Sequence, residues 1–304
     1  MSIASEIYNN AVAAPGEKTD MALLEDQAHE LANRSQWGAA AKALLRVARV
    51  EPHNTERWLK IAQWQRQDHD VKAAAKTLRT ALRLNTSSKV ADNPTAKTGA
   101  KKASSGNSPK ILQDLSPIAN QAASIALWLA LAETEMEAQV WAECIAACEE
   151  LLKLAPQHHL GQEILATALL YNAQIDEAVE VMQGLLRLSP RDPLHRLKLA
   201  TLLHLQGQLG NSLREFQRVV SAHPDAPFTQ EAYETIETLD KMQIQQILAR
   251  ATEDYTFRLH LQRAFELTLE ANDFYLSDSG RESLRHLLWD GSVDDLTVPL
   301  PVIH

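Results

Sequence analysis

The chain of 304 residues is long enough for about two ordinary domains or one extended array, and its apolar content of 45% with only 10 glycines favours buried helices over turn-rich sheet. A formal net charge of −9 argues against general binding of polyanions, and two cysteines are too few for a disulfide framework. No apolar run reaches membrane-spanning length, and the N-terminus lacks the basic start and apolar core of a secretory signal, so the expected compartment is the cytoplasm.

In chain order, residues 1–20 contain Pro15 and Gly16, show little periodicity, and read as a flexible leader. From about Met21 a helical pattern begins and repeats with a step of 34 residues. Ala28 and Ala62, then Ala132, Ala166 and Ala200, hold one small position. Ala40, Ala74, Cys144, Ala178 and Ser212 hold a second, twelve residues later each time. Small residues at both places suit two antiparallel helices that cross too closely for longer side chains. Between them Trp37, Val71, Trp141, Ile175 and Leu209 are apolar in every copy and are placed to plug the turn of a helical hairpin. Pro52, Pro156, Pro190 and Pro224 close the copies, with Thr86 in place of proline in the second. Leu44, Leu78, Cys148, Met182 and Phe216 supply a large apolar position in the second helix, and Trp58 and Trp128 stand four residues before the first small position. Asn54 or Thr55 can cap the helix that carries Trp58.

These positions resemble the tetratricopeptide repeat, over about 21–86 and 125–224. The resemblance implies an all-α, tetratricopeptide-type helical-hairpin solenoid with a C-terminal helical cap region. Within it, residues 21–86 are repeats 1 and 2, and 116–224 are repeats 3 to 5. Between them, the chain from Thr86 to about Lys110 is rich in Ser, Thr, Lys and Ala with almost nothing to bury, and 87–115 is expected to be a disordered basic linker. Ser116–Pro117 reads as the cap and first turn of the next helix, and Asp192–Pro193 as another such start. Residues 225–304 are expected to hold a capping helix from about Phe228 to Leu239, then an acidic region of two helices around a loop at 272–280, then the extended tail LTVPLPVIH.

Chemistry-bearing constellations are lacking. There is no phosphate-binding glycine loop, dinucleotide turn or nucleophile elbow, so no enzyme activity and no cofactor are expected. His159 and Glu163 stand four apart without a third ligand, and read as a surface pair. Cys144 and Cys148 occupy core positions and read as reduced core thiols. Charge is uneven: residues 225–304 hold 6 basic and 15 acidic side chains, which accounts for the whole −9, while 41–110 hold 15 basic against 5 acidic.

The function that the resemblance implies is a non-catalytic scaffold or adaptor that binds a peptide or helix of a protein partner in a concave groove lined by first helices. Carrying the step through those helices gives a groove of Lys60, Arg66, Leu129, Leu160, Tyr171, Leu194, Leu197 and Leu205, polar and mildly basic at one end and apolar at the other. An amphipathic partner with an acidic flank suits both ends. Two other readings remain open. One is a structural subunit that self-associates through the C-terminal region, and the other is a regulatory module that touches nucleic acid through the basic N-terminal half. No membrane association is expected.

Overall fold

The computed structural model describes residues 15–91 and 110–289, and among these every regular element is an α-helix. They fall into two compact units, Met1–Ala173 and Gln174–His304. Unit 1 contains α1 (Pro15–Asn33), α2 (Trp37–Val50), α3 (Thr55–Gln67), α4 (Val71–Ala91), α5 (Lys110–Glu137), α6 (Trp141–Leu154) and α7 (His159–Tyr171). Unit 2 contains α8 (Ile175–Leu188), α9 (Pro193–Leu205), α10 (Leu209–Ala222), α11 (Pro227–Glu253), α12 (Tyr255–Arg263), α13 (Phe265–Ala271) and α14 (Asp278–Trp289).

The 34-residue rhythm has a direct physical basis. All ten small positions are buried, from Ala28 and Ala40 through Ala200 and Ser212, none more than 2% exposed. Two pairs show how closely the helices cross. The Cys144 thiol reaches the Ala132 carbonyl at 3.3 Å, and the Ser212 hydroxyl donates to the Ala200 carbonyl at 2.8 Å. The turns recur with the same step. Ser35, His69, Gln139, Ala173 and Gly207 each take a left-handed backbone conformation, with φ between 57° and 81°. After four of them the next amide reaches back five residues, as Gln36 N to Leu31 O at 3.0 Å and Gln208 N to Leu203 O at 2.9 Å, which satisfies carbonyls at the end of each first helix. The plugging residues Trp37, Val71, Trp141, Ile175 and Leu209 are then the first residues of the second helices. At the far end of the first hairpin, Trp58 Nε1 donates to the Pro52 carbonyl at 2.9 Å, tying the tryptophan to the closing proline.

Several helix ends lie elsewhere than the local signals place them. Helix α4 runs to Ala91, beyond the expected end of repeat 2 at residue 86, since no glycine or proline occurs before Pro94, and Asn85 Nδ2 donates to Ser124 Oγ on α5 at 2.9 Å. Helix α5 starts at Lys110, inside the stretch read as linker, so Pro117 lies within the helix and not in its first turn. Helix α1 likewise begins at Pro15, inside the expected leader. Helix α11 extends to Glu253, because Ile236, Leu239, Gln243, Ile244, Ile247 and Ala251 keep one buried face at helical spacing well past Leu239. Among its described residues the C-terminal region after α11 holds three helices where two were expected: Ala264, at φ −142° and ψ 62°, separates α12 from α13. The break lets Phe257, Leu261 and Leu269 enter one core with Ile247, Leu276 and Leu284. The remainder of the leader, of the basic linker, and the tail from 290 onward lie outside the described residues.

Candidate interaction surfaces

First helices are positioned by their caps. The Asn54 side chain accepts from Arg57 N at 3.3 Å and starts α3. His158 Nδ1 accepts from Gly161 N at 3.1 Å and starts α7. Asp192 accepts from Leu194 N and His195 N at 2.9 and 3.2 Å, and Pro193 follows at the first helical position of α9.

In unit 1, α5 packs beside both α3 and α7, so three first helices form one layer. Lys60 is exposed on α3. Arg66 is engaged: it donates to Glu137 Oε2 at 2.7 Å and Glu133 Oε2 at 3.0 Å, and so bridges α3 to α5. Burial opposes its charge, but these two carboxylates outweigh that and hold the guanidinium more firmly protonated. Leu129 is half-buried, whereas Leu160 and Tyr171 on α7 are 44% and 63% exposed. The Tyr171 ring stacks on Trp141 at 4.7 Å between centroids and 15° between planes, an outward-facing aromatic pair.

In unit 2, Leu194 and Leu205 on α9 are 50% and 54% exposed. Leu197 is half-buried and packs against the core formed by Ala200, Leu213, Phe216, Val219, Ala232 and Leu239. Its side chain therefore contributes to the fold as much as to a surface. The Arg66 bridge and the Tyr171–Trp141 stack are absent from a reading by repeat step, because each joins different repeats. The available signal for the bridge is the pair Glu133 and Glu137, which share a helix face at i, i+4.

Other surroundings are structural. Cys144 and Cys148 are free and buried; the hydrogen bond with Cys144 and burial push the Cys148 thiol far above its ordinary range, which keeps it protonated. Among the described residues no three His, Cys, Asp or Glu side chains converge on a point, and no helix is long and apolar enough to cross a membrane.

A tetratricopeptide-repeat family model matches residues 165–227. The chain is similar to a solved structure of MamA protein, at 12% identity, covering 67% of this chain and 92% of that one with a TM-score of 0.50. It is also similar to MamA, residues 41 to the end, from Desulfovibrio magneticus RS-1, at 14% identity, 68% and 97% coverage and a TM-score of 0.47. No curated protein matches the sequence. The 34-residue series of small residues and left-handed turns forms an all-α helical-hairpin array of the tetratricopeptide type, of which the family model matches residues 165–227, and this architecture supports a scaffold for protein interaction.

Proposed function

We propose that the scaffold is non-catalytic and holds apolar segments of a protein partner, helical or extended, against the outward faces of its first helices. The observation that supports this is a pair of equivalent positions. Leu160 and Leu194 stand 34 residues apart, as do Tyr171 and Leu205, and all four large apolar side chains remain about half exposed. Each leucine that a partner covers contributes on the order of 1 kcal/mol. Single exposed apolar residues are ordinary, but repetition at one helix face is the pattern of an anchor row. Leu129 and Leu197, half-buried beside these rows, form the floors of the two faces, one on each unit. Lys60 is the cation left for an acidic flank of the partner, since Arg66 is held by two carboxylates. In this reading residues 21–86 and 116–224 carry the repeats and 225–304 close the array.

The test compares proteins retained from a lysate by the unaltered chain with those retained by two double variants, Leu160→Ser with Tyr171→Ser, and Leu194→Ser with Leu205→Ser. Partners captured by the unaltered chain should be lost from at least one variant while far-UV circular dichroism stays unchanged. Full retention by both variants would place the interaction elsewhere.

A further inference from the structure

The α9–α10 hairpin of unit 2 carries a second surface of a different chemical character. Residues 187–222 hold six Lys and Arg side chains against two acidic ones, Asp192 and Glu215. Arg196 on α9, with Arg214, Gln217, Arg218 and Ser221 on α10, lines an open depression of about 500 Å³. On α10 these four residues lie at i, i+3, i+4 and i+7, one face of the helix. Arg196 follows Leu194 by two residues, roughly 200° around α9, so the depression and the exposed leucines look in different directions.

The arginines are organised by a single carboxylate. Glu215, mostly buried, accepts from Arg196 Nη1 and from Arg218 Nη1, each at 2.5 Å. Arg196 Nη2 also donates to the Pro190 carbonyl at 2.9 Å, which fixes this guanidinium at two points. Among the described residues Arg214 has no carboxylate partner. Three guanidinium groups thus line the depression with one carboxylate, shared by two of them, which leaves a local excess of two positive charges and exposes Arg214 and Arg218 to solvent. A fixed guanidinium loses little freedom when it binds, and its fork matches a carboxylate in two-point geometry.

We propose that this depression docks an acidic peptide segment of a partner protein, recognised through clustered Asp and Glu side chains. The site goes beyond the apolar faces and does not depend on them. A short acidic peptide is favoured over nucleic acid because the chain carries −9 overall, with 15 acidic against 6 basic side chains in residues 225–304. A long polyanion meets that repulsion, whereas a short segment senses the local excess alone.

The experiment is fluorescence anisotropy of a labelled oligoglutamate with the full chain at low ionic strength. Saturable binding is expected, weakened about tenfold or more by Arg214→Glu and by Arg218→Glu. Binding should be unchanged by Leu205→Ser and by Lys241→Glu, a control that reverses an exposed lysine paired with Glu237 on α11. Arg214 is exposed and pairs with no carboxylate among the described residues, so its substitution spares the fold; Arg214→Gln provides a milder variant with the same expected direction. Absence of saturable binding, an equal loss in the Lys241 control, or tighter binding of a single-stranded RNA of matching charge would each overturn the proposal.

Discussion

Ala132 and Cys144 meet where two helices cross, with sulfur 3.3 Å from the alanine carbonyl and both residues fully buried. Extra methylenes have nowhere to go at such a crossing. Ala132→Leu is therefore expected to lower stability by about 1–3 kcal/mol in denaturant unfolding, while the same change at exposed Ala142, on α6 just before Cys144, stays within about 0.5 kcal/mol. Glu135, three residues further along α5, presents a different stress. Its side chain is 4% exposed, and Oε1 lies 2.7 Å from Arg79 Nη2 in an ion pair that is not aligned as a hydrogen bond. Burial pushes its carboxyl up, Arg79 opposes this, and Glu143 adds to it. Because the folded-state value stands above the unfolded one, the ionised group costs stability at neutral pH, and that cost disappears as pH falls through the folded value to below the unfolded value. Glu135→Gln should then be more stable than the unaltered chain at pH 7, with the difference shrinking as the solution is acidified below the ordinary carboxylate range. Thermal melts across pH check the sign, and a variant less stable at pH 7 would show that the Arg79 pair outweighs the desolvation.

Helix α14 illustrates how one element is placed by contacts distant in sequence. Asp240 on α11 is buried at 5% exposure, accepts from Ser277 N at 2.9 Å and from the Ser277 hydroxyl, and so sits at the start of α14. Ser277 Oγ in turn accepts from Gly280 N at 3.1 Å, capping the helix. The Gln243 amide pairs with both backbone groups of Tyr275, donating to its carbonyl at 2.6 Å and accepting from its N–H at 2.7 Å. The Tyr275 ring lies over Gly210, close enough that a Cβ there would stand 2.6 Å from it. Gly280 is the tightest point of the joint, since a Cβ would stand 2.5 Å from the Asp240 carboxyl carbon. Gly280→Ala should cost about 1–3 kcal/mol and loosen α14, visible as a shift in Trp289 emission and as faster amide exchange in α14 with α9 and α10 unaffected.

At the scale of the whole molecule, two kinds of surface are expected to answer differently to the solvent. Apolar contact at Leu160, Tyr171, Leu194 and Leu205 gains from removing surface from water and is nearly indifferent to moderate salt. Attraction at Arg196, Arg214 and Arg218 is exposed and screened, with a Debye length of about 10 Å at 0.1 M and about 3 Å at 1 M. Raising sodium chloride from about 0.05 M to about 0.5 M should weaken oligoglutamate binding at least about tenfold, while partners held by the first-helix faces stay bound. Equal sensitivity in both assays would mean that the two surfaces are not chemically distinct.

A great deal was readable from residue order because the repeat is a local object. Small residues twelve apart, an apolar residue between them and a step of 34 specify a helical hairpin through contacts within a few turns of chain, and the same arithmetic marks Leu160, Tyr171, Leu194 and Leu205 as surface positions of first helices. The recurring left-handed turn was not readable, since Ser35, His69, Gln139 and Ala173 carry no glycine to announce it. Residue order also could not show where Arg66 spends its charge, because Glu137 lies 71 positions away across an insertion of unrelated composition. The anchoring of Ser277 by Asp240, 37 positions apart, and the convergence of Arg196 and Arg218 on Glu215 likewise arise from how helices pack. Short-range periodicity fixes which face of a helix is apolar; the partner of each charged group depends on which helix lies beside it, and that is settled when the cores close.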